Sequence, residues 1–142
     1  MPLYICNTQQ STLDSEQKTA IAQSIVDIHC SVTGAPACFV HTVFFEEAAQ
    51  FPLDEQRLNV RGTIRKGRTN DQKDLIAAQI EQMLVEKTDA EPEEVIALIR
   101  ETPASWVIEG GEIMPEPGQE AAWLAAQAKK KAGATENKRS VT

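Results

Sequence analysis

The sequence predicts an α/β fold, α+β in its layering, made of two β-α-β repeats whose four strands form one sheet with two helices on one face. Three observations carry that prediction. Two capping boxes, Asp14 to Gln17 and Thr69 to Gln72, stand 55 residues apart, and each opens a run of apolar residues at helical spacing. Pro36 and Pro92 follow those runs at an offset of 56. A β-branched or alternating segment lies before and after each run. A constant offset across two such units indicates duplication, and right-handed crossovers put both helices on the same face of the sheet.

Each element has its own justification. Residues 2–8 read as the first strand. Asp14 caps the first helix, along which Ile21, Ile25, Ile28 and Val32 recur at helical spacing until Gly34 and Pro36 end it. Residues 38–45 are β-branched and aromatic, a second strand. Residues 58–65 alternate, with Leu58, Val60 and Ile64 on one face and Asn59, Arg61, Thr63 and Arg65 on the other. The second helix runs from its cap at Thr69 to about Lys87, and residues 95–100 form the matching strand. After Pro103 come a short apolar piece at 106–108, Glu109 with two glycines, and a Pro-Gly turn at 115–118. An alanine-rich helix follows over 121–131, with Trp123 and Leu124 as its anchor. The far side of this arrangement is left for the opposite helix face or a partner subunit to cover.

With 142 residues the chain makes a single domain over 1–132, with repeats at about 2–46 and 57–101 and a C-terminal segment at 103–132. The composition of residues 133–142 predicts a disordered tail. Hydrophobic content of 42% suits a globular fold, whereas only 5% aromatic residues imply a modest core that partner subunits complete. The N-terminus lacks the charged and apolar regions of a signal peptide, and no apolar run is long enough for a membrane span. Cys6, Cys30 and Cys38 are too few for a disulfide framework, so a soluble cytoplasmic protein is expected.

Charge is distributed unevenly. Residues 129–142 carry about +4 within an overall −7, which leaves −11 on the rest. In that acidic body Arg57, Arg61, Arg65, Lys66 and Arg68 follow one another with no acid between them. A local cation site in an anionic protein suits a small anionic ligand. It does not suit nucleic acid, whose backbone the body would repel. A solvated arginine face is the alternative that charge alone leaves open.

Pro2 adds a chemical possibility. Methionine is normally trimmed before a small second residue, which exposes a secondary amine. A free α-amine titrates near 8; arginines and burial lower that value, and a carboxylate raises it. Such a nitrogen acts as a base when its pKa lies below the working pH and as an acid when its pKa lies above it. A retained Met1 would make it a non-basic amide.

Taken together, Pro2 on a strand, the doubled β-α-β chain, Ile28-His29 followed by Thr33-Gly34, the segment Ile64-Arg65-Lys66-Gly67-Arg68, and Glu109 before the turn at 115–118 resemble the tautomerase superfamily. Within it they resemble the cis-3-chloroacrylic acid dehalogenase group, over roughly residues 2–124. The resemblance implies a homotrimer and a cofactor-independent, metal-free reaction on a small unsaturated or enolic carboxylate. It implies that Pro2 donates a proton to the α-carbon, that His29, Arg65 and Arg68 hold and polarise the carboxylate, and that Glu109 activates water. One position departs from the group: Leu98 stands where the dehalogenases carry a tyrosine. Dehalogenation is therefore expected to be weak, and slow hydration, or keto–enol tautomerisation of the phenylenolpyruvate type with Pro2 as base, withstands the loss better. A non-catalytic, cytokine-like binding module on the same fold is the alternative from another class.

Bland roles remain beside these. His29 near a helix end can complement the helix dipole, and Arg65 and Arg68 can form surface pairs. Arg61 either adds a cation to the pocket or faces a neighbouring subunit. His41 reads as structural, Trp106 and Trp123 as packing anchors, and the Cys/His spacings do not suit zinc.

Overall fold

The computed structural model describes residues 2–8, 12–46 and 57–139. Its first repeat comprises β1 (Leu3–Thr8), α1 (Ser15–Thr33) and β2 (His41–Phe45), and its second comprises β3 (Leu58–Arg65), α2 (Asn70–Lys87) and β4 (Val95–Thr102). The strands form one sheet in the order β2-β1-β3-β4. Pairing is parallel within each repeat and antiparallel between β1 and β3 at the centre.

Both capping boxes form. The Asp14 carboxylate accepts from the Gln17 N–H and the Thr69 hydroxyl from the Gln72 N–H, and each glutamine side chain accepts from the backbone N–H of its cap residue. Gly34 closes α1 in the left-handed conformation. Tyr4 and Cys6 of β1, Leu58, Val60 and Ile64 of β3, and Val95 and Ala97 of β4 share one sheet face. Ile21 and Ile25 of α1 and Ile76, Ile80, Met83 and Leu84 of α2 pack onto it in a single core. Gly62, opposite Tyr4, is required by close approach: a Cβ there would lie 2.6 Å from the Tyr4 ring and 2.9 Å from Ile99 Cδ1.

The structure departs from the sequence expectation in four places. Residues 37–39 form a 3-10 turn, so β2 begins only at His41; the turn sends Phe39 into a second small core with Val107, Met114 and Trp123 instead of along the strand. Strand β4 runs on to Thr102, because Arg65 and Thr102 continue the ladder to the end of β3. Trp106 is 77% exposed and Leu124 also reaches solvent, so neither anchors the chain on itself. Trp123 does: its ring meets Phe39 edge-on at 5.7 Å and its Nε1–H donates to the Ile113 carbonyl.

Finally, α3 runs over Glu120–Arg139, so residues 133–139 are helical where the composition predicts a disordered tail. Alanine and lysine on either side of Gly133 are strong helix formers and outweigh the single glycine. The last three residues lie outside the described part. Among the described residues no helix is long and apolar enough to cross a membrane.

The sheet face away from the helices carries exposed apolar residues, Val43 and Phe45 of β2 and Leu98 of β4. Close by, Ile108–Glu109 (β5) and Glu112–Ile113 (β6) form a two-stranded hairpin around Gly110 and Gly111. Both glycines have positive φ, as a tight two-residue hairpin turn demands.

Candidate active site

The site is built around the paired ends of β1 and β3. Pro2 is buried and immediately precedes Leu3, whose antiparallel partner is Thr63, two residues before Arg65. The Pro2 carbonyl accepts from the His41 N–H at 2.9 Å. Met1 lies outside the described residues, and the Pro2 nitrogen becomes an amine only when that residue is removed.

Arg65 ends β3 and is 1% exposed. Its Nη1 donates to the Pro115 carbonyl, its Nη2 donates to Glu120 Oε1 at 2.7 Å, and its guanidinium lies 5.3 Å from the Phe39 ring centroid. Arg68, in the turn before α2, donates to the Thr33 carbonyl at the end of α1, and its Nη2 lies 3.9 Å from the same Glu120 oxygen. The Nε atoms of both arginines are buried and have no hydrogen-bond partner among the described residues. The segment between β6 and α3 therefore straps the arginine pair. Glu120, which sequence reasoning missed, is the carboxylate between them. Partial burial pushes its carboxyl up; hydrogen bonds from its own N–H, from Arg65 and from Gly118, together with the Arg65 charge, outweigh that and hold it below the usual carboxylate range.

His29 sits in the last third of α1, facing the sheet, and is 2% exposed. Its Nδ1 is 2.7 Å from the Tyr4 hydroxyl. Burial first, then the charges of Arg68 and Arg65, hold its pKa down at about 4, so the ring is neutral at pH 7. Tyr4 is fully buried, with its own pKa raised by burial, and its hydroxyl is committed to His29. That contact turns it toward His29 and not toward Glu109.

This burial has a pH consequence. The unfolded chain binds a proton at an ordinary histidine value of 6.5, above the folded value. The unfolded state therefore takes up more protons as pH falls from 6.5 to 4, and stability drops across that window. The gap corresponds to on the order of 3 kcal/mol. Urea midpoints at pH 7 and pH 4.5 are expected to separate more for wild type than for His29→Gln, and equal pH slopes would show that His29 does not titrate this way.

Glu109 occupies a different wall. It lies 3.7 Å from His41 Nε2, and both residues line an open cavity of about 590 Å³ with Leu3, Thr63, Thr102 and Trp106. His41, read from alternation as structural, is half-exposed at this cavity, and burial followed by the positive chain terminus lowers its pKa. Neither His29, Arg65 nor Arg68 is among the residues lining it. The structure thus groups His29, Arg65 and Arg68 together and sets Glu109 apart with His41. Pro2 lies between the groups, through Leu3 and the His41 N–H on one side and the Arg65 end of β3 on the other. Arg61 lies on the open sheet face, level with Ile5 and Leu98.

Comparison with known proteins bears on this arrangement. Residues 1–129 match the model of a family described as "Putative oxalocrotonate tautomerase enzyme". The crystal structure of native Ps01740 is 36% identical, covers 76% of this chain and 100% of its own, and superposes with a TM-score of 0.69. The crystal structure of N1, a member of the cis-3-chloroacrylic acid dehalogenase family, is 26% identical over 92% of this chain and 97% of its own, at a TM-score of 0.80. The asymmetric trimer of F6 fused 4-OT shares the fold at 22% identity, 79% and 95% coverage and a TM-score of 0.68. No curated protein matches the chain.

Proposed function

Because the chain belongs to this tautomerase family, we propose that it is a cofactor-independent lyase of the hydratase or dehalogenase type, or a tautomerase, acting on small unsaturated or enolic carboxylates through the amine of Pro2. The observation that carries this reading is the convergence of Arg65, Arg68 and neutral His29 beside the strand that Pro2 begins. The two arginines supply the positive charge that holds a carboxylate. In the tautomer in which Nδ1 accepts from the Tyr4 hydroxyl, His29 carries its proton on Nε2 and contributes a neutral donor. Polarisation toward that end of the substrate makes C-3 electrophilic.

In the hydration reaction the Pro2 ammonium gives its proton to C-2. Glu109 takes a proton from water, and the hydroxyl forms its bond to C-3. Water is thus added across the double bond, and Pro2 recovers a proton as Glu109 gives one up. With a cis-3-haloacrylate the resulting halohydrin expels hydrogen halide and leaves malonate semialdehyde. Leu98 supplies no hydroxyl to help Glu109, whereas His41 stands beside that carboxylate. This favours, as a second reading, keto–enol tautomerisation, in which Pro2 alone moves the proton. A homotrimer belongs to the same proposal, supported by the exposed Val43, Phe45, Leu98, Trp106, Ile108 and Ile113, and the cytoplasm is its proposed location.

Intact mass together with proton NMR of the demethionylated protein, incubated separately with cis-3-chloroacrylate, propiolate and phenylenolpyruvate, tests the reading. Loss of Met1 and turnover of at least one substrate are expected. A rate that rises through about pH 6–7 identifies Pro2 as base, and one that falls above about pH 9 identifies it as acid. Retention of Met1, or inertness toward all three substrates, overturns the proposal.

A further inference from the structure

The strap over the arginines brings a carboxylate of the chain itself into the place where a substrate carboxylate is expected. Glu120 Oε1 takes a hydrogen bond from Arg65 and faces Arg68 at 3.9 Å, while Oε2 accepts from the Gly118 N–H at 2.8 Å. Its side chain is only 14% exposed. Two arginines and one glutamate leave the cluster with a single net positive charge, and the remaining imidazole, His29, is neutral at pH 7. Both terminal nitrogens of Arg65 are occupied by Pro115 and Glu120, so the orientation of its planar fork is set by the strap rather than by a bound ligand.

We propose that Glu120 is a positioning and specificity-determining residue: it fixes the Arg65–Arg68 pair and reduces its charge to one, so that the site takes a carboxylate of single negative charge in preference to a dicarboxylate. This rests on the reading above, in which the pair binds the substrate carboxylate. Without Glu120 the two guanidiniums would offer two uncompensated charges in a water-poor setting, which matches a dianion. With it, the second carboxylate of a dianion meets a site already neutralised and repelled by Glu120.

The experiment compares full-length wild type, Glu120→Gln and Glu120→Asp by calorimetric titration with acrylate and with maleate, which differ by one carboxylate on a similar frame. Wild type is expected to bind acrylate more tightly. Glu120→Gln, which keeps the shape and an acceptor for Gly118, is expected to shift the maleate-to-acrylate affinity ratio at least tenfold toward maleate. Glu120→Asp, which keeps the charge, is expected to hold the wild-type ratio. A residue that merely braced the strap would weaken both ligands alike and leave the ratio unmoved. That result in a Gln variant with wild-type circular dichroism, or in the Asp variant a shift as large as that of Gln, overturns the role of Glu120 and leaves the carboxylate site standing. Should wild type bind neither probe, and Arg68→Ala behave identically, both the site and its specificity residue fall.

Discussion

Arg65→Ala is expected to destabilise the protein by about 3 kcal/mol and to remove carboxylate binding. The side chain is 1% exposed and has three kinds of neighbour. Truncation leaves the Pro115 carbonyl without its donor, Glu120 without its closest cation, and an empty space against Phe39. The carboxylate is the most costly of these, since a partly buried charge deprived of its partner is worse than no charge at all. Arg68 lies near enough to recover part of the loss, which keeps the expected value at the lower end for broken buried pairs. Arg65→Lys is not a conservative alternative, because one ammonium cannot reproduce the directed bonds of a guanidinium to Pro115 and Glu120. Urea denaturation gives the stability and titration with acrylate gives the binding. A loss below about 1 kcal/mol, the range of a surface pair, would mean that Arg65 is not held as described.

The same residue illustrates what could be read in the sequence. Two capping boxes, one alternating strand and the β-branched segments beside the helices were sufficient for the sheet and both helices, because those signals are local: a cap and its acceptor are three residues apart, and alternation is visible within one strand. The segment 57–68 is free of acids as a linear stretch, yet it is not so in space. Arg57 pairs with Asp89 and lies 4.0 Å from Glu94, and Arg65 and Arg68 meet Glu120. These partners stand about 30 to 55 residues away in the chain, beyond any periodicity. The burial of Arg65 was hidden for the same reason, since the strap that covers it follows a hairpin of only two residues per strand. Glu120 did carry a local signal, an acid just after a Pro-Gly turn and before an alanine-rich helix, which marks a helix start. That signal says nothing about the arginine it meets. His41 likewise alternates as a strand residue should, but only the fold shows that Glu109 comes to stand beside it. The tryptophans divide by the same logic: Trp123 finds Phe39, while Trp106 is left largely exposed by the described residues.

Blocking the amine of Pro2 is expected to have the largest effect on turnover. Pro2→Ala leaves an α-amine after methionine removal, but a primary one on a freely rotating backbone, so both its basicity and its position beside the strand end change. A positioned acid or base contributes roughly 10²- to 10⁴-fold, and a loss in that range is expected in kcat/KM. Pro2→Leu goes further, because a large second residue retains Met1 and turns the nitrogen at position 2 into an amide with no proton chemistry. Its activity is expected to vanish while circular dichroism and acrylate binding persist, since the arginine pair is held by Glu120, Pro115 and Thr33, none of which depends on the amine. Mass spectrometry establishes the terminus of each variant, and the pH–rate limb assigned to Pro2 should move in Pro2→Ala and be absent from any residual rate in Pro2→Leu. Full turnover by Pro2→Leu with Met1 in place would transfer the proton chemistry to another group. Glu109 with its neighbour His41 would then be the pair to replace next, because it is a carboxylate–imidazole contact beside the strand end.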